Sequence, residues 1–275
     1  MSNQQDDPFR YDLASPIARG RTSEIFAARP GRVLKLYRAG WPDGAAEREY
    51  EIAQKLNKAG VAAPRAFSLE EVGGRVGVVY ERVDGHSMMR ALLSKPWTFA
   101  RHARLLAELH FRVNLVCVEG LPSQRERLDG YIRAADALPL ELKEQALRLL
   151  KSLPDDGALC HGDLHPDNVI LPASGPVVID WADASVGNPL GDVARTVVLM
   201  KIGALAEPDV VKRTIFRALG GLFLRSYLGR YMRLSGADRR DLQRWVVVSA
   251  AARLETEIPE ERQPLLQFVA RGLAA

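Results

Sequence analysis

The chain has 275 residues, 47% of them hydrophobic, with a formal net charge of +4 at pH 7. This length and composition suffice for a substantial core in one large domain or two lobes, so disorder is not expected. Lysine and arginine are scattered, which argues against a nucleic-acid interface. No apolar run approaches the roughly 18 residues of a membrane span, and the acidic residues 1–7 lack the features of a secretory signal. We therefore expect a soluble, cytoplasmic protein.

Short alternating segments come first along the chain. Residues 17–26 are typical of a strand, a turn containing Gly20 and a second strand, and residues 33–37 supply a third strand. Residues 66–71 and 76–80 flank a Gly-Gly pair, which predicts a hairpin. Together these segments predict a five-stranded sheet.

One charged residue interrupts this apolar pattern. Lys35 lies in the third strand between two leucines, and a charge in such a place normally has a partner. Residues 45–58 carry apolar side chains at helical spacing, which predicts an amphipathic helix next to the sheet. Glu47, Glu49 and Glu51 all lie on this segment, and periodicity alone leaves the choice of partner open.

The chain beyond residue 85 is helical by pattern, apart from one polar stretch. Apolar stripes run through residues 99–113 and 140–153, and residues 208–275 are also helical by pattern. Cys117 and Cys160 lie in apolar contexts without a C-x-x-C pattern. We expect both to be buried free thiols rather than a disulfide or zinc ligands.

The polar stretch carries the chemistry. Residues 161–171 are H-G-D-L-H-P-D-N-V-I-L, and after a turn the chain continues V-V-I-D to Asp180. This pattern predicts a polar loop followed by a small hairpin. Asp163 can accept the proton of a hydroxyl nucleophile, and Asn168 and Asp180 offer the hard oxygen atoms that Mg²⁺ prefers. A nucleotide phosphate would complete such a site.

These motifs resemble a known family. The spacing H-x-D-L-x-x-x-N, with a second aspartate after a strand, is the catalytic loop and metal aspartate of protein kinases. The spellings H-G-D-x-H-x-x-N and I-D-W resemble the aminoglycoside phosphotransferase family still more closely. The resemblance implies a bilobal, protein-kinase-like α+β fold. Residues 1–83 would form a small N-lobe with a five-stranded antiparallel sheet, and residues 84–275 a larger, mostly helical C-lobe.

The same resemblance implies ATP and Mg²⁺ as cofactors. Asp163 would be the catalytic residue, and Asn168 and Asp180 would hold the metal. Lys35 would grip the α- and β-phosphates of the nucleotide, and the family's helix start selects Glu49 as its partner.

Further nucleotide contacts follow from the resemblance. The hairpin with Gly20 and Ser23 would cover the phosphates, where small residues let backbone N–H groups approach. The carbonyl of Glu81 and the N–H of Val83 would bind adenine. His161 would position the polar loop.

Two departures from protein kinases bear on the acceptor. Gly162 replaces the arginine of H-R-D, and only eleven residues separate Asp180 from Asp192, too few for an activation loop. A small-molecule acceptor therefore fits better than a protein. Asp192 is also expected to be the N-cap of a helix and to brace the polar loop.

The expected activity is ATP-dependent transfer of the γ-phosphate to a hydroxyl of a small molecule, with Mg²⁺. Aminoglycosides, choline-like alcohols, sugars and amino alcohols all suit the scaffold, and the choice of ATP over GTP and the oligomeric state are left open. The alternative is a catalytically impaired nucleotide-binding regulator of the same fold. The single glycine of the phosphate hairpin, Gly20, keeps that alternative open.

Overall fold

A computed structural model describes residues 11–202 and 209–274. Its first part is a five-stranded antiparallel sheet in the order β1-β2-β3-β5-β4, which confirms the predicted sheet. The strands are β1 (Ala18–Arg19), β2 (Ser23–Ala27), β3 (Arg32–Tyr37), β4 (Ala66–Val72) and β5 (Arg75–Glu81).

Helix α1 (Ala45–Lys58) packs against this sheet and has the predicted bounds. It begins after Gly44, whose φ of 76° belongs to the left-handed region that favours glycine. Its buried residues, Ala46, Glu49, Ile52, Ala53 and Leu56, recur at intervals of three, three, one and three positions and so share one face. Glu49 therefore belongs to the face that packs on the sheet.

The two faces of the sheet have separate cores because side chains alternate along a strand. Leu34 and Leu36 pack on one face with Phe26 and Val79. Tyr37 packs on the other face, together with side chains of α1. Lys35 shares the strand parity of Tyr37, so it extends towards α1.

The rest of the described chain is mainly helical, around one large core. Helix α3 packs against α7, and α6 against α8. The helices are α2 (Met88–Ser94), α3 (Phe99–Asn114), α4 (Gln124–Ala134), α5 (Leu140–Ser152), α6 (Pro189–Ile202), α7 (Val210–Ser235), α8 (Arg239–Arg253) and α9 (Pro259–Leu273). The structure thus has the α+β, kinase-like architecture that was predicted.

Short strands between α5 and α6 carry the polar stretch. β6 (Ala158–Cys160) pairs with β9 (Ser185–Gly187), and β7 (Val169–Ile170) pairs with β8 (Val177–Val178). Residues 161–168, named here the 161–168 loop, join β6 to the β7–β8 hairpin and end in a 3₁₀ turn at Pro166–Asn168. The predicted polar loop and hairpin are both found.

Two local predictions are wrong. Cys117 is exposed whereas Cys160 is buried, and both thiols are free. The neighbours of Cys117 in an extended segment, Val116 and Val118, turn inward, so Cys117 faces out. Asp192 is not the N-cap of α6, because α6 already begins at Pro189.

Asn188 caps the start of α6 instead, because its side-chain oxygen accepts a hydrogen bond from the N–H of Leu190 at 2.8 Å. Predicted helix at residues 203–208 and at residue 275 lies outside the described residues. The division of the chain at residue 83 stays a prediction; it falls between the end of β5 at Glu81 and the start of α2 at Met88. None of the described helices has the length and apolarity needed to cross a membrane.

Candidate active site

A buried carboxylate fixes the start of the 161–168 loop. Asp192 accepts hydrogen bonds from the backbone N–H of His161 at 2.7 Å and of Gly162 at 2.8 Å. His110 Nε2 lies 2.9 Å from the same carboxylate. Burial opposes ionisation of Asp192, but His110, His161 and the Gly162 amide lower its pKa to about 2. The predicted brace between Asp192 and the loop is therefore present, although it comes from inside α6 rather than from its N-cap.

His161 connects the loop to the hairpin. It is buried, its Nε2 lies 3.0 Å from the carbonyl oxygen of Ile179, and its Nδ1 lies 3.2 Å from the N–H of Asp163. Burial lowers the pKa of His161, so the neutral ring can donate through Nε2 and accept through Nδ1. This single side chain sets the backbone positions of both Asp163 and the residue before Asp180.

Gly162 has no room for a side chain. Its φ is 82°, and an added Cβ would lie 2.9 Å from Cβ of Asp183, with the Asp183 carbonyl oxygen closer still. Both the backbone conformation and the close approach require glycine. An arginine at this position, as in the protein-kinase pattern, would not fit this loop.

Asp163 is half-buried within the loop. Its Oδ2 lies 3.4 Å from His165 Nε2 and its Oδ1 lies 3.8 Å from a guanidinium nitrogen of Arg195. Burial alone would raise the pKa of Asp163, but His165 and Arg195 bring it below its ordinary value. The buried Asn168 donates to the backbone carbonyl of Asp163 at 2.9 Å, so both side chains belong to one rigid turn.

Lys35 joins the sheet to the hairpin. Its Nζ lies 2.8 Å from Glu49 Oε1 and 2.7 Å from Asp180 Oδ1. Burial would lower the pKa of Lys35, but these two carboxylates raise it above its ordinary value, so the ammonium is charged. The hydroxyls of Tyr80, at 2.9 Å, and of Tyr37 donate to Glu49 as well. The structure thus pairs Lys35 with Glu49 and not with Glu47 or Glu51.

Asp180 lies at the end of the hairpin with an unusual backbone. Its φ of 63° is in the left-handed region, which Asp tolerates better than most residues. Burial would raise the pKa of Asp180, but the charge of Lys35 lowers it below its ordinary value. Its side chain is 44% exposed and faces an open cleft.

The cleft lies between the sheet and the β7–β8 hairpin and has a volume of about 620 Å³. Apolar walls from β2, β3 and the hairpin enclose a polar floor. Eight of the nine residues singled out from the sequence line it, namely Gly20, Ser23, Lys35, Glu49, Glu81, Val83, Asn168 and Asp180. Asp163 is the ninth; it does not line the cleft, but its neighbour in the turn, Asn168, does.

Backbone groups at the cleft differ in availability. The N–H of Val83 makes no hydrogen bond within residues 11–202 and 209–274, so it can donate to a ligand. The N–H of Gly20 instead donates to the carbonyl of Ser23 at 2.8 Å. The Gly20 amide is therefore engaged within its own turn, so it is not free to donate a hydrogen bond to a ligand.

Sequence reasoning missed several residues of the site. His165, Tyr37 and Tyr80 contact Asp163 or Glu49, and Arg195 approaches Asp163. Signals for some were present, because His165 is two positions from Asp163 and Tyr37 has the strand parity of Lys35. Arg195 lies one helical turn after Asp192 and could have been placed on the same face of α6.

No cluster of three or more His, Cys, Asp or Glu side chains able to hold a metal ion occurs in the described parts of the chain. Asn168 and Asp180 are an amide and a carboxylate at one cleft. That donor set fits Mg²⁺, which takes few protein ligands and completes its shell with phosphate oxygens and water.

A small antiparallel sheet with one helix, a helical second part, and a cleft containing a Lys–Glu pair define a kinase-like fold. The model of the phosphotransferase enzyme family, APH, matches residues 14–226. Because this match covers most of the chain, the protein belongs to the phosphotransferase enzyme family. It is a kinase-like phosphotransferase of the class that acts on small molecules.

Solved structures share this fold at low sequence identity. An aminoglycoside-3'-phosphotransferase of type VIII is 23% identical, with a TM-score of 0.58, over 90% of this chain and 93% of that one. The aminoglycoside phosphotransferase APH(3'')-Id from Streptomyces rimosus is 20% identical, with a TM-score of 0.56, over 86% and 92%. A choline kinase from Cryptosporidium parvum is 13% identical, with a TM-score of 0.52, over 98% and 88%. No curated protein matches this chain in sequence.

Proposed function

We propose that this protein transfers the γ-phosphate of ATP, with Mg²⁺, to a hydroxyl group of a small molecule. The observation that carries the proposal is the position of Lys35 Nζ, 2.8 Å from Glu49 and 2.7 Å from Asp180, at a cleft of about 620 Å³. A charged lysine fixed between two carboxylates, one on each side of a cleft, is suited to bind phosphate oxygens. The proposed division at residue 83 makes this cleft the junction of two lobes.

The cleft suits a nucleoside triphosphate. Its apolar walls can enclose a purine ring, and the free N–H of Val83 and the carbonyl of Glu81 would bind the adenine edge. Lys35 would bind the α- and β-phosphates beneath the hairpin of Gly20 and Ser23. Structures with this fold carry nucleotides, among them APH(3'')-Id with ADP and APH(2'')-IIa with ATP.

Asn168 and Asp180 would hold the magnesium ion. The lowered pKa of Asp180 keeps its carboxylate ionised at neutral pH, as a metal ligand must be. When bound, Mg²⁺ would neutralise charge on the phosphate oxygens. Asn168 donates through Nδ2 to the carbonyl of Asp163, which leaves its amide oxygen for the cation.

Asp163 would act on the acceptor. Its lowered pKa leaves it ionised, so it can orient the hydroxyl and take its proton. The hydroxyl oxygen then bonds to the γ-phosphorus, the bond to the β,γ-bridging oxygen breaks, and ADP leaves. Much of the catalysis would come from placement and electrostatics rather than covalent chemistry.

A small acceptor agrees with the region after Asp180. Eight residues, including β9, separate Asp180 from the start of α6 at Pro189. This stretch is too short for an activation loop on which a protein substrate docks. The acceptor would therefore be a small molecule that reaches Asp163 beside Arg195 of α6.

The test replaces Asp163 with Asn and measures ADP formation with a panel of hydroxyl compounds. We expect turnover about 10²- to 10⁴-fold below wild type. Mg·ATP at about 100 times its dissociation constant should stabilise wild type and D163N alike by roughly 2.7 kcal/mol. Asp129→Asn is the control, because Asp129 pairs with Arg133 on the surface of α4.

Each result has a definite meaning. Near wild-type turnover by D163N would refute the role of Asp163. Stabilisation of the protein by Mg·ATP without ATP consumption for any acceptor would favour the nucleotide-binding regulator. If Mg·ATP does not stabilise the protein, both the phosphotransferase and the nucleotide-binding regulator are refuted.

A further inference from the structure

A second, smaller pocket lies beside Asp163, apart from the nucleotide cleft. It has a volume of about 50 Å³ and is walled by α4, α6, α8 and the stretch around Gly162 and Asp183. Arg195 lines this pocket and does not line the cleft. The pocket has room for a group the size of a few water molecules, such as a carboxylate or phosphate, but not for a sugar ring.

Ser249 gives one independent sign that the pocket binds a polar group. Its side chain lines the pocket and is 2% exposed, and its Oγ has no hydrogen-bond partner within the described residues. A buried hydroxyl without a partner is unfavourable and uncommon. A bound group that accepts a hydrogen bond would satisfy it.

Arg195 gives a second sign. Its side chain is 23% exposed, and within the described residues its guanidinium has an ion pair with Asp163 but no hydrogen bond. The contact with Asp163 Oδ1, at 3.8 Å, is too long for a hydrogen bond. A planar guanidinium with five N–H donors is matched to the two oxygens of a carboxylate or phosphate.

The carboxylates that line the pocket already have partners. Asp192 accepts hydrogen bonds from the N–H groups of His161 and Gly162 and lies beside His110. Asp183 is paired with Arg127, which donates to its backbone carbonyl and lies 3.3 Å from its Oδ1. Because both lining carboxylates are engaged in this way, a bound group would have to supply the acceptors for the Ser249 hydroxyl and for the guanidinium N–H groups of Arg195.

We propose that the phosphate acceptor carries its own anionic group, a carboxylate or a phosphate, which Arg195 and Ser249 bind in this pocket. The proposal rests on the proposed function, since Asp163 must hold the hydroxyl that reacts. With Arg195 3.8 Å from Asp163, the anionic group and the reacting hydroxyl are close neighbours on a short skeleton. An ammonium group in the same position would face the guanidinium of Arg195 and would bind less tightly.

The experiment compares acceptors that share a skeleton and differ in charge. Glycerol, glycerate and glycerol 3-phosphate form one series, ribose and ribose 5-phosphate another, and ethanolamine and choline are the cationic members. Binding is measured by thermal shift with Mg²⁺ and a non-hydrolysable ATP analogue present, so that the γ-phosphate position is filled. Malonate and inorganic phosphate serve as probes without a hydroxyl group.

We expect the anionic probes or acceptors to bind at least 10-fold more tightly than their neutral parents. Arg195→Gln should weaken that binding about 10- to 100-fold, with Arg195→Lys intermediate. Ser249→Ala should weaken it several-fold. Arg239 is an exposed arginine at the start of α8, so Arg239→Gln removes the same charge and should leave the affinity for the anionic compounds unchanged. The ratio of carboxylate to phosphate affinity identifies which anion is used.

Kinetics separate recognition from positioning. With an acceptor that is turned over, R195Q should raise KM by a larger factor than it lowers kcat. A lower kcat at unchanged KM would overturn the proposal and make Arg195 a positioning residue for Asp163. Equal binding of neutral, cationic and anionic compounds, or anion binding that R195Q leaves intact, would also overturn it. If the ATP analogue itself gives no shift, the proposed function fails, and this proposal with it.

Discussion

Replacing Lys35 with methionine should destabilise the protein more than replacing its partner Glu49 with glutamine. Lys35 is 7% exposed and Glu49 2% exposed, so the pair is out of water. Lys35→Met leaves Glu49 without its cation and Asp180 without its partner at 2.7 Å. Glu49→Gln leaves Lys35 paired with Asp180. The amide oxygen can still accept from one tyrosine hydroxyl, and the amide NH₂ group can donate to the other.

Breaking a buried ion pair by removing one partner costs about 3–5 kcal/mol. Because Asp180 is 44% exposed, its share is discounted for solvent screening. We therefore expect a loss of about 4 kcal/mol for K35M and about 2 kcal/mol for E49Q. The double variant should lose about 4 kcal/mol rather than about 6, a coupling of about 2 kcal/mol, because the uncompensated carboxylate is gone.

Urea denaturation of the wild type, the two single variants and the double variant gives this coupling directly. Since 1 kcal/mol moves the Tm of a chain of this size by about 2–4 °C, K35M should melt about 8–16 °C below wild type. Arg239→Gln controls for loss of a positive charge at an exposed position. Equal losses for K35M and E49Q that add in the double variant would refute the reasoning.

The remaining predictions concern the 161–168 loop and its supports. Asp192→Asn should cost about 2 kcal/mol of unfolding free energy near pH 7. The pKa of Asp192 is about 2 in the folded protein against an ordinary value of 3.8, so its contribution to stability is present above pH 4 and is lost as the pH falls towards 2. The urea midpoint of D192N should therefore lie below that of wild type at pH 7 and approach it at pH 2. Gly162→Ala should destabilise the protein more than Gly157→Ala, because Gly157 has a similar φ of 65° but open space around it. A difference below about 1 kcal/mol between the two variants in urea denaturation would contradict the close approach of Gly162 to Asp183. His165→Gln should raise the pKa of Asp163, because it removes the hydrogen bond and charge that lower it, and a pH–rate profile should show the acid limb of turnover at higher pH than in wild type.

The sequence predicted most of the sheet and most of the residues that line the cleft beside it, because the signals there are local. Alternation fixed β3 and β5 to within one residue, and helical spacing gave α1 its bounds. The choice of Glu49 required the family resemblance, since three glutamates were available on α1. In the structure Glu49 alone among them lies on the buried face, next to Ile52 and Ala53.

Local patterns failed where a long-range contact decides. The brace from Asp192 was expected at a helix N-cap, but Asn188 takes that role and frees Asp192 to bind the loop amides. Cys117 lies among apolar neighbours in sequence, and only the alternation of an extended segment turns it outward. Neither outcome follows from composition, because both depend on where one segment meets another.

The same distinction explains why the proposed nucleotide side of the site could be predicted from the sequence and the proposed acceptor side could not. Asp163 and Asn168 share one loop, and Asp180 follows after a hairpin, so their spacing is itself a signal. Arg195 and Ser249 lie on α6 and α8, 54 positions apart, and meet only because α6 packs against α8. Pairs of this kind have no sequence spacing to recognise. The small pocket lined by Arg195 and Ser249 is therefore where the structure adds most to the sequence, and charge-matched acceptors give the sharpest test of its proposed role.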